Sequence, residues 1–184
     1  MFFAPSSGEP PVETPYVLFV GTPEPRKNLA RLIAAMTLLR SRGRTEPLLI
    51  VGGGGWGGGT RGDDVPDAGN VKRIGRVSDG QLLSLYAHAS CLALPSLHEG
   101  FGLPAIEAMA AGTPVVAANS GALPEVTGGA AVLVDPLNPA SIADGILQAI
   151  EERDSFVRRG RLRARQLTST RTAALTAEVY RELV

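Results

Sequence analysis

Cys91-Leu92-Ala93-Leu94-Pro95-Ser96-Leu97-His98-Glu99-Gly100-Phe101-Gly102-Leu103-Pro104-Ala105-Ile106-Glu107-Ala108-Met109-Ala110-Ala111-Gly112 carries a strand, a loop and a helix in succession. Cys91 to Leu94 is an unbroken apolar run, as in a strand buried on both faces. Ser96 to Gly102 is a glycine-containing loop, and Leu103 to Ala111 is a short helix stopped by Gly112, with Pro114 beyond it. The amides of Gly100, Phe101, Gly102 and Leu103 are the donors that a helix N-terminus leaves unpaired, and the dipole there favours an anion such as a diphosphate. Glu99 stands just outside the helix and Glu107 about one turn inside it. Carboxylates beside a phosphate repel it, so both are expected to accept hydrogen bonds from sugar hydroxyls instead.

Upstream and downstream of this stretch the same alternation repeats. Tyr16 to Val20, Leu48 to Val51, Asn70 to Gly75, Val115 to Ala118 and Ala131 to Val134 read as further strands. Between them, Leu29, Leu32, Ile33, Met36 and Leu39 recur at helical spacing, with Asn28 expected as the cap. Ser78 and Asp79 open a second helix, and Leu123 to Val126 holds one helical turn. Ile142, Ile146, Leu147 and Ile150 form another stripe, and helices are expected over 156–167 and 170–183. Strands alternating with helices predict an α/β fold, a Rossmann-like doubly wound parallel sheet of about six strands with right-handed crossovers. Residues 1–15, with Pro5, Pro10, Pro11 and Pro15, read as a linker, and 16–184 as one ligand-binding domain.

The chain of 184 residues is 44% hydrophobic and 20% charged, with 18 basic and 18 acidic side chains. That balance provides no net field for nucleic acid or an anionic membrane, so any anion site must be local. The single cysteine, Cys91, cannot form an internal disulfide and reads as a core residue in a reducing compartment. No window approaches a membrane span, no set of zinc ligands is present, and a soluble, cytoplasmic protein is expected.

In an open parallel sheet, ligands gather at the carboxyl ends of the strands where the strand order reverses. Three segments are expected there: Gly21-Thr22-Pro23-Glu24-Pro25-Arg26-Lys27-Asn28, the glycine stretch from Gly52 to Gly59, and the loop holding Glu99. Arg26 and Lys27 precede a helix, where the macrodipole disfavours cations, which makes sense if an anion binds them. The plainer reading is a solvated basic pair, and for the glutamates a capping carboxylate plus a surface residue. Gly52, Gly54 and Gly57 also satisfy a dinucleotide fingerprint, but among seven glycines that match follows from composition. Trp56 reads as an anchor of a mobile flap. His98 reads as either a site residue or a loop stabiliser, and His88 as a surface residue.

The blocks from Val20 to Asn28 and from Glu99 through Gly112-Thr113-Pro114-Val115-Val116 resemble the retaining glycosyltransferase family 4, whose members have the GT-B fold. The resemblance runs from about Tyr16 onward and covers half of such an enzyme, the C-terminal donor-binding domain, without the N-terminal acceptor-binding domain. It implies no cofactor or metal and a nucleoside diphosphate sugar as substrate, GDP-mannose or a UDP-sugar, with GDP-mannose favoured by the Arg-Lys-Asn form of the first loop. It also implies a saccharide or lipid-linked acceptor, and peripheral contact with a membrane in a full-length enzyme.

Carried over by motif, Lys27 looks like the lysine on the donor diphosphate and Glu99 like the carboxylate on the sugar hydroxyls and reacting face. Glu107 looks like the ribose ligand. The backbone of Gly100, Phe101, Gly102 and Leu103 would hold phosphate, and Arg76-Val77 with Leu82 would border the base. Gly21-Thr22 departs from the Gly-Arg of many members, and Arg26 is the candidate for the missing charge. A nucleotide-dependent oxidoreductase and a noncatalytic nucleotide-sugar module are the competing readings.

Overall fold

Val17–Val20 (β1), Leu48–Val51 (β2), Val71–Gly75 (β3), Cys91–Leu94 (β4), Val115–Ala118 (β5) and Val132–Val134 (β6) form one sheet in the order β3-β2-β1-β4-β5-β6. Every neighbouring pair is parallel. The computed structural model describes residues 15–53 and 70–182. The linker assigned to the first residues, and the glycine stretch beyond Gly53 with Trp56, therefore lie outside the described residues.

Because side chains alternate along a strand, each central strand feeds two cores at once. Val17 and Phe19 of β1 point to one side, where they join Leu29, Leu32, Met36 and Leu39 of Leu29–Ser41 (α1) and Ile142 and Ile146 of Pro139–Glu151 (α5). Leu18 points to the other, against Leu85 of Asp79–His88 (α2) and Ala105, Ala108 and Met109 of Leu103–Ala111 (α3). Burying each of these large apolar side chains contributes about 1.5–3 kcal/mol. Continuous apolar strands are thus required by helices on both faces, which explains why the runs lack polar alternation.

The remaining helices are Leu123–Thr127 (α4), Arg153–Gln166 (α6) and Ser169–Glu182 (α7). Helix α6 lies across α3, with Phe156, Gly160 and Ala164 on its buried face. Helix α7 buries none of its residues, and Leu175, Val179 and Tyr180 are exposed on it.

The chain leaves β1 toward β2 and β4 toward β5, so the two adjacent central strands send their connections to opposite edges. In open parallel sheets the ligand crevice lies outside the carboxyl ends of two such strands, and the two loops that carry the sequence motifs stand there. One local expectation is corrected. Asn28 occupies the position before α1 but makes no side-chain cap. Its side-chain nitrogen donates instead to the carbonyls of Pro95 and Pro136, at 2.9 and 2.6 Å, and its backbone is left-handed with φ of 58°. The amide therefore ties the β1 loop to the segments after β4 and β6, a task that local sequence spacing does not reveal.

Candidate functional site

The loops after β1 and β2 meet through backbone that leaves little room for side chains. Gly52, directly after β2, has φ of 151°, and a Cβ there would run into the carbonyl of Gly21 after β1. The loops after the two strands consequently touch through bare main chain. Arg76, in the turn between β3 and α2, lies over Gly53, while Val77 and Leu82 pack partly buried against the core beneath α2. Ser78 opens α2 with a capping box, its hydroxyl accepting from the Gln81 amide while Gln81 accepts from the Ser78 amide, as its sequence suggests.

Beyond Gly21 and Thr22, both part-buried, a single 3-10 turn over Pro25–Lys27 aims its cations inward. Lys27 and Glu99 are both buried and form an ion pair between Nζ and Oε1. Ser96 donates to the same Oε1 at 2.8 Å. Arg26, about half exposed, places Nη1 3.4 Å from Oε2 of Glu99 and Nε 2.8 Å from Glu24. The Leu97 amide donates to the Arg26 carbonyl at 2.7 Å, so the two loops are joined by main chain as well as by charge. Sequence reasoning assigned Lys27 to phosphate and Glu99 to sugar as separate tasks. Here they satisfy each other, because an isolated charge of either sign in so buried a place carries a large desolvation cost.

Helix α3 starts at Gly102, whose φ of 88° lets the chain turn from the Glu99 loop into the helix with Leu123 packed against it. Gly100, Phe101 and Leu103 are exposed around this N-terminus, and Gly102 is buried. Glu107, one turn in, is half-buried and faces α2, where the hydroxyl of Tyr86 donates to its Oε2 at 2.8 Å. Burial foremost, and then the adjacent Glu107 charge and hydrogen bond, push the Tyr86 phenol far above its usual range. Burial also raises the Cys91 thiol to about 12, which agrees with a core role.

The donor-site residues expected from sequence lie on the β1–α1, β3–α2 and β4–α3 connections and in the helices α2 and α3 that follow them. The structure adds Glu24, Ser96, Asn28 and Tyr86 around them. Ser96 and Asn28 lie inside the quoted blocks, but their partners depend on loops meeting across the sheet. Tyr86 reads in sequence as one apolar member of the α2 stripe. His98 is exposed beside Gly121, outside the ion-pair cluster, and Nδ1 of His88 donates to the Ser84 carbonyl at 2.9 Å. Among the described residues no three His, Cys, Asp or Glu side chains group as metal ligands, and no helix is long and apolar enough to cross a membrane.

The profile of the glycosyl transferases group 1 family matches residues 3–166, most of the chain. The chain belongs to that family. An O-antigen chain mannosyltransferase B of Escherichia coli is 37% identical over 180 residues, spanning 91% of this chain and 46% of that protein. A D-inositol 3-phosphate glycosyltransferase of Corynebacterium glutamicum is 33% identical over 188 residues, spanning 95% of this chain and 45% of the relative. Among solved structures, a sucrose-phosphate synthase from Thermosynechococcus elongatus superposes with a TM-score of 0.74 at 30% identity, covering 92% of this chain and 45% of that one. The chain therefore spans about half the length of these group 1 glycosyltransferase relatives, and its six-stranded parallel sheet matches the Rossmann-like architecture of its GT-B neighbours.

Proposed function

We propose that this chain is the donor-binding domain of a retaining family 4 glycosyltransferase that transfers a hexose, mannose-like or glucose-like, from a nucleoside diphosphate sugar. The observation that carries the reading is the buried Lys27–Glu99 pair, with Arg26 and Ser96, at the carboxyl ends of β1 and β4. Family membership supports it, whereas nothing in that membership favours an oxidoreductase. The 37% identical mannosyltransferase and the Arg-Lys-Asn loop favour GDP-mannose over a UDP-sugar.

On this reading, departure of the nucleoside diphosphate develops negative charge on its oxygens and positive charge at the anomeric carbon. The donor diphosphate takes over Lys27 and Arg26 and lies against the free amides at the start of α3. Preorganised donors of this kind are worth on the order of 3 kcal/mol each in the transition state. Glu99, released from Lys27, orients the sugar hydroxyls and supports the cationic carbon. Glu107 holds the ribose, and Arg76, Val77 and Leu82 border the base. The acceptor, a saccharide or lipid-linked saccharide held by an N-terminal domain, attacks the face from which the diphosphate leaves, retaining the configuration. Closing a second domain over the donor excludes water and orients that acceptor.

Calorimetric titration with UDP-, GDP- and ADP-sugars, and with NADH as the comparator, tests the assignment. A nucleoside diphosphate sugar is expected to bind and NADH not to; preference for NADH would overturn it. The chain alone is expected to bind donor weakly and transfer little, and efficient transfer by it would remove the need for an acceptor domain.

A further inference from the structure

Tyr86 stands in α2, outside every segment that the sequence motifs mark, yet its hydroxyl is the only hydrogen-bond partner of Glu107 among the described residues. The phenol ring is 1% exposed and packed in the core between α2 and α3. Its own backbone is pinned, because the Thr113 hydroxyl donates to the Tyr86 carbonyl at the far end of α3. A rigid ring therefore delivers one hydrogen bond, 2.8 Å long, to Oε2 of a half-buried carboxylate.

A glutamate on a helix face has three rotatable bonds, and unrestrained it samples several rotamers. We propose that Tyr86 is a positioning residue for the donor ribose: by committing Oε2 of Glu107, it fixes the rotamer that turns Oε1 toward the ribose hydroxyls. This rests on the reading of Glu107 as the ribose ligand. Burial first, and then Glu107 itself, hold the Tyr86 phenol well above its usual range, so its hydroxyl is a donor at neutral pH. The bond thus acts in one direction, and Glu107 keeps its remaining lone pairs for the ligand. If Tyr86 merely satisfied its own buried hydroxyl, the partner could be any carbonyl, and losing the bond would alter stability without discriminating between ligands.

The test compares GDP and UDP with their 2′,3′-dideoxy counterparts by calorimetry on the wild-type chain and on Tyr86→Phe, Glu107→Ala and Thr113→Val. The wild type is expected to prefer the ribose forms, and Glu107→Ala to lose that preference. Tyr86→Phe keeps the ring and its volume and is expected to cut the preference roughly three- to tenfold, with dideoxynucleotide affinity unchanged. Thr113→Val removes the backbone tether but keeps the Tyr86–Glu107 bond, and is expected to lower thermal stability and to cut the preference by less than Tyr86→Phe does. If Tyr86→Phe fails to fold, Tyr86→Met supplies a second side chain without a hydroxyl. Wild-type preference in Tyr86→Phe alongside its loss in Glu107→Ala overturns the positioning role and leaves the ribose assignment standing. Wild-type preference in Glu107→Ala, or no binding of either nucleotide, overturns both.

Discussion

The arginines of α6 and the Arg26-Lys27 pair before α1 are both held by oxygen, but by oxygens of different kinds. Arg153 donates to the carbonyls of Ala89 and Ser90, at 3.0 and 2.9 Å, where α2 ends. Arg163 donates to Val126 and Glu125, at 2.9 and 2.7 Å, in the last turn of α4, and Arg159 donates to Gly129 just beyond it at 2.9 Å. Arg161 lies against Gly112, where α3 ends. Helix α6 thus presents cations to the C-termini of three helices, where unpaired carbonyls and the macrodipole both favour positive charge. The fold alone accounts for them. Arg26 and Lys27 precede a helix, where the dipole opposes them, and they converge on a buried carboxylate rather than on backbone. Folding gains little from that placement, since a buried ion pair roughly breaks even against apolar packing. Such an expensive arrangement is intelligible if another anion exchanges with Glu99 for the two cations.

Lys27→Met gives the sharpest contrast between the regions. Glu99 would keep only Ser96 and the distant Arg26, so a stability loss of about 3 kcal/mol is expected in urea denaturation. Adding Glu99→Gln should recover most of it, and the double variant should still fail to bind a nucleoside diphosphate. A Lys27→Met loss no larger than that of an exposed arginine would break the comparison, because the pair would then be solvated like any other.

Glu107→Ala divides the crevice itself. Removal of the proposed ribose ligand should weaken free GDP or UDP by about 1.5–3 kcal/mol. Glu99→Ala should act chiefly on the intact sugar nucleotide and much less on the free diphosphate. Equal losses on both ligands in both variants, measured by calorimetry, would contradict the division between ribose and sugar.

The alternation of apolar runs with helical stripes made the sheet and its helices legible, because strands buried on both faces and one-sided helices have distinct periods. The two loops that meet at Lys27 and Glu99 were legible as well, since Gly21 to Asn28 and Glu99 to Glu107 each follow a strand. Their mutual pairing was not. Lys27 and Glu99 are 72 residues apart, and only the adjacency of β1 and β4 brings them into contact. Asn28 misled for the same reason, as its position suits a cap while the partners it binds arrive from distant loops. Tyr86 gave no signal because a tyrosine within an apolar stripe reads as core, and it is core everywhere except at its hydroxyl.

Arg163→Ala probes the other region. It removes donors to two carbonyls of α4, a partly exposed arrangement, so about 1–2 kcal/mol of stability should be lost. Nucleotide affinity should not change, because α4 and α6 contribute no proposed donor contact. A fall in affinity as large as that of Glu107→Ala would mean that the α6 clasp is coupled to the crevice.

Arg26→Ala is expected to produce the smallest change in stability and so decides the point most cleanly. Its side chain is 47% exposed and shares its charge between Glu24 and Glu99, so water and salt screen both contacts. Denaturation should therefore register no more than about 0.5 kcal/mol. A diphosphate carries more charge than either carboxylate and would approach this guanidinium at the rim, so affinity for GDP or UDP should still fall, and fall less at high salt than at low salt. A cation whose loss barely touches folding yet weakens the anion is placed for the ligand. Should the variant bind both nucleotides as tightly as the wild type at low ionic strength, Arg26 would be a solvated surface charge, and Lys27 alone would carry the contrast with α6.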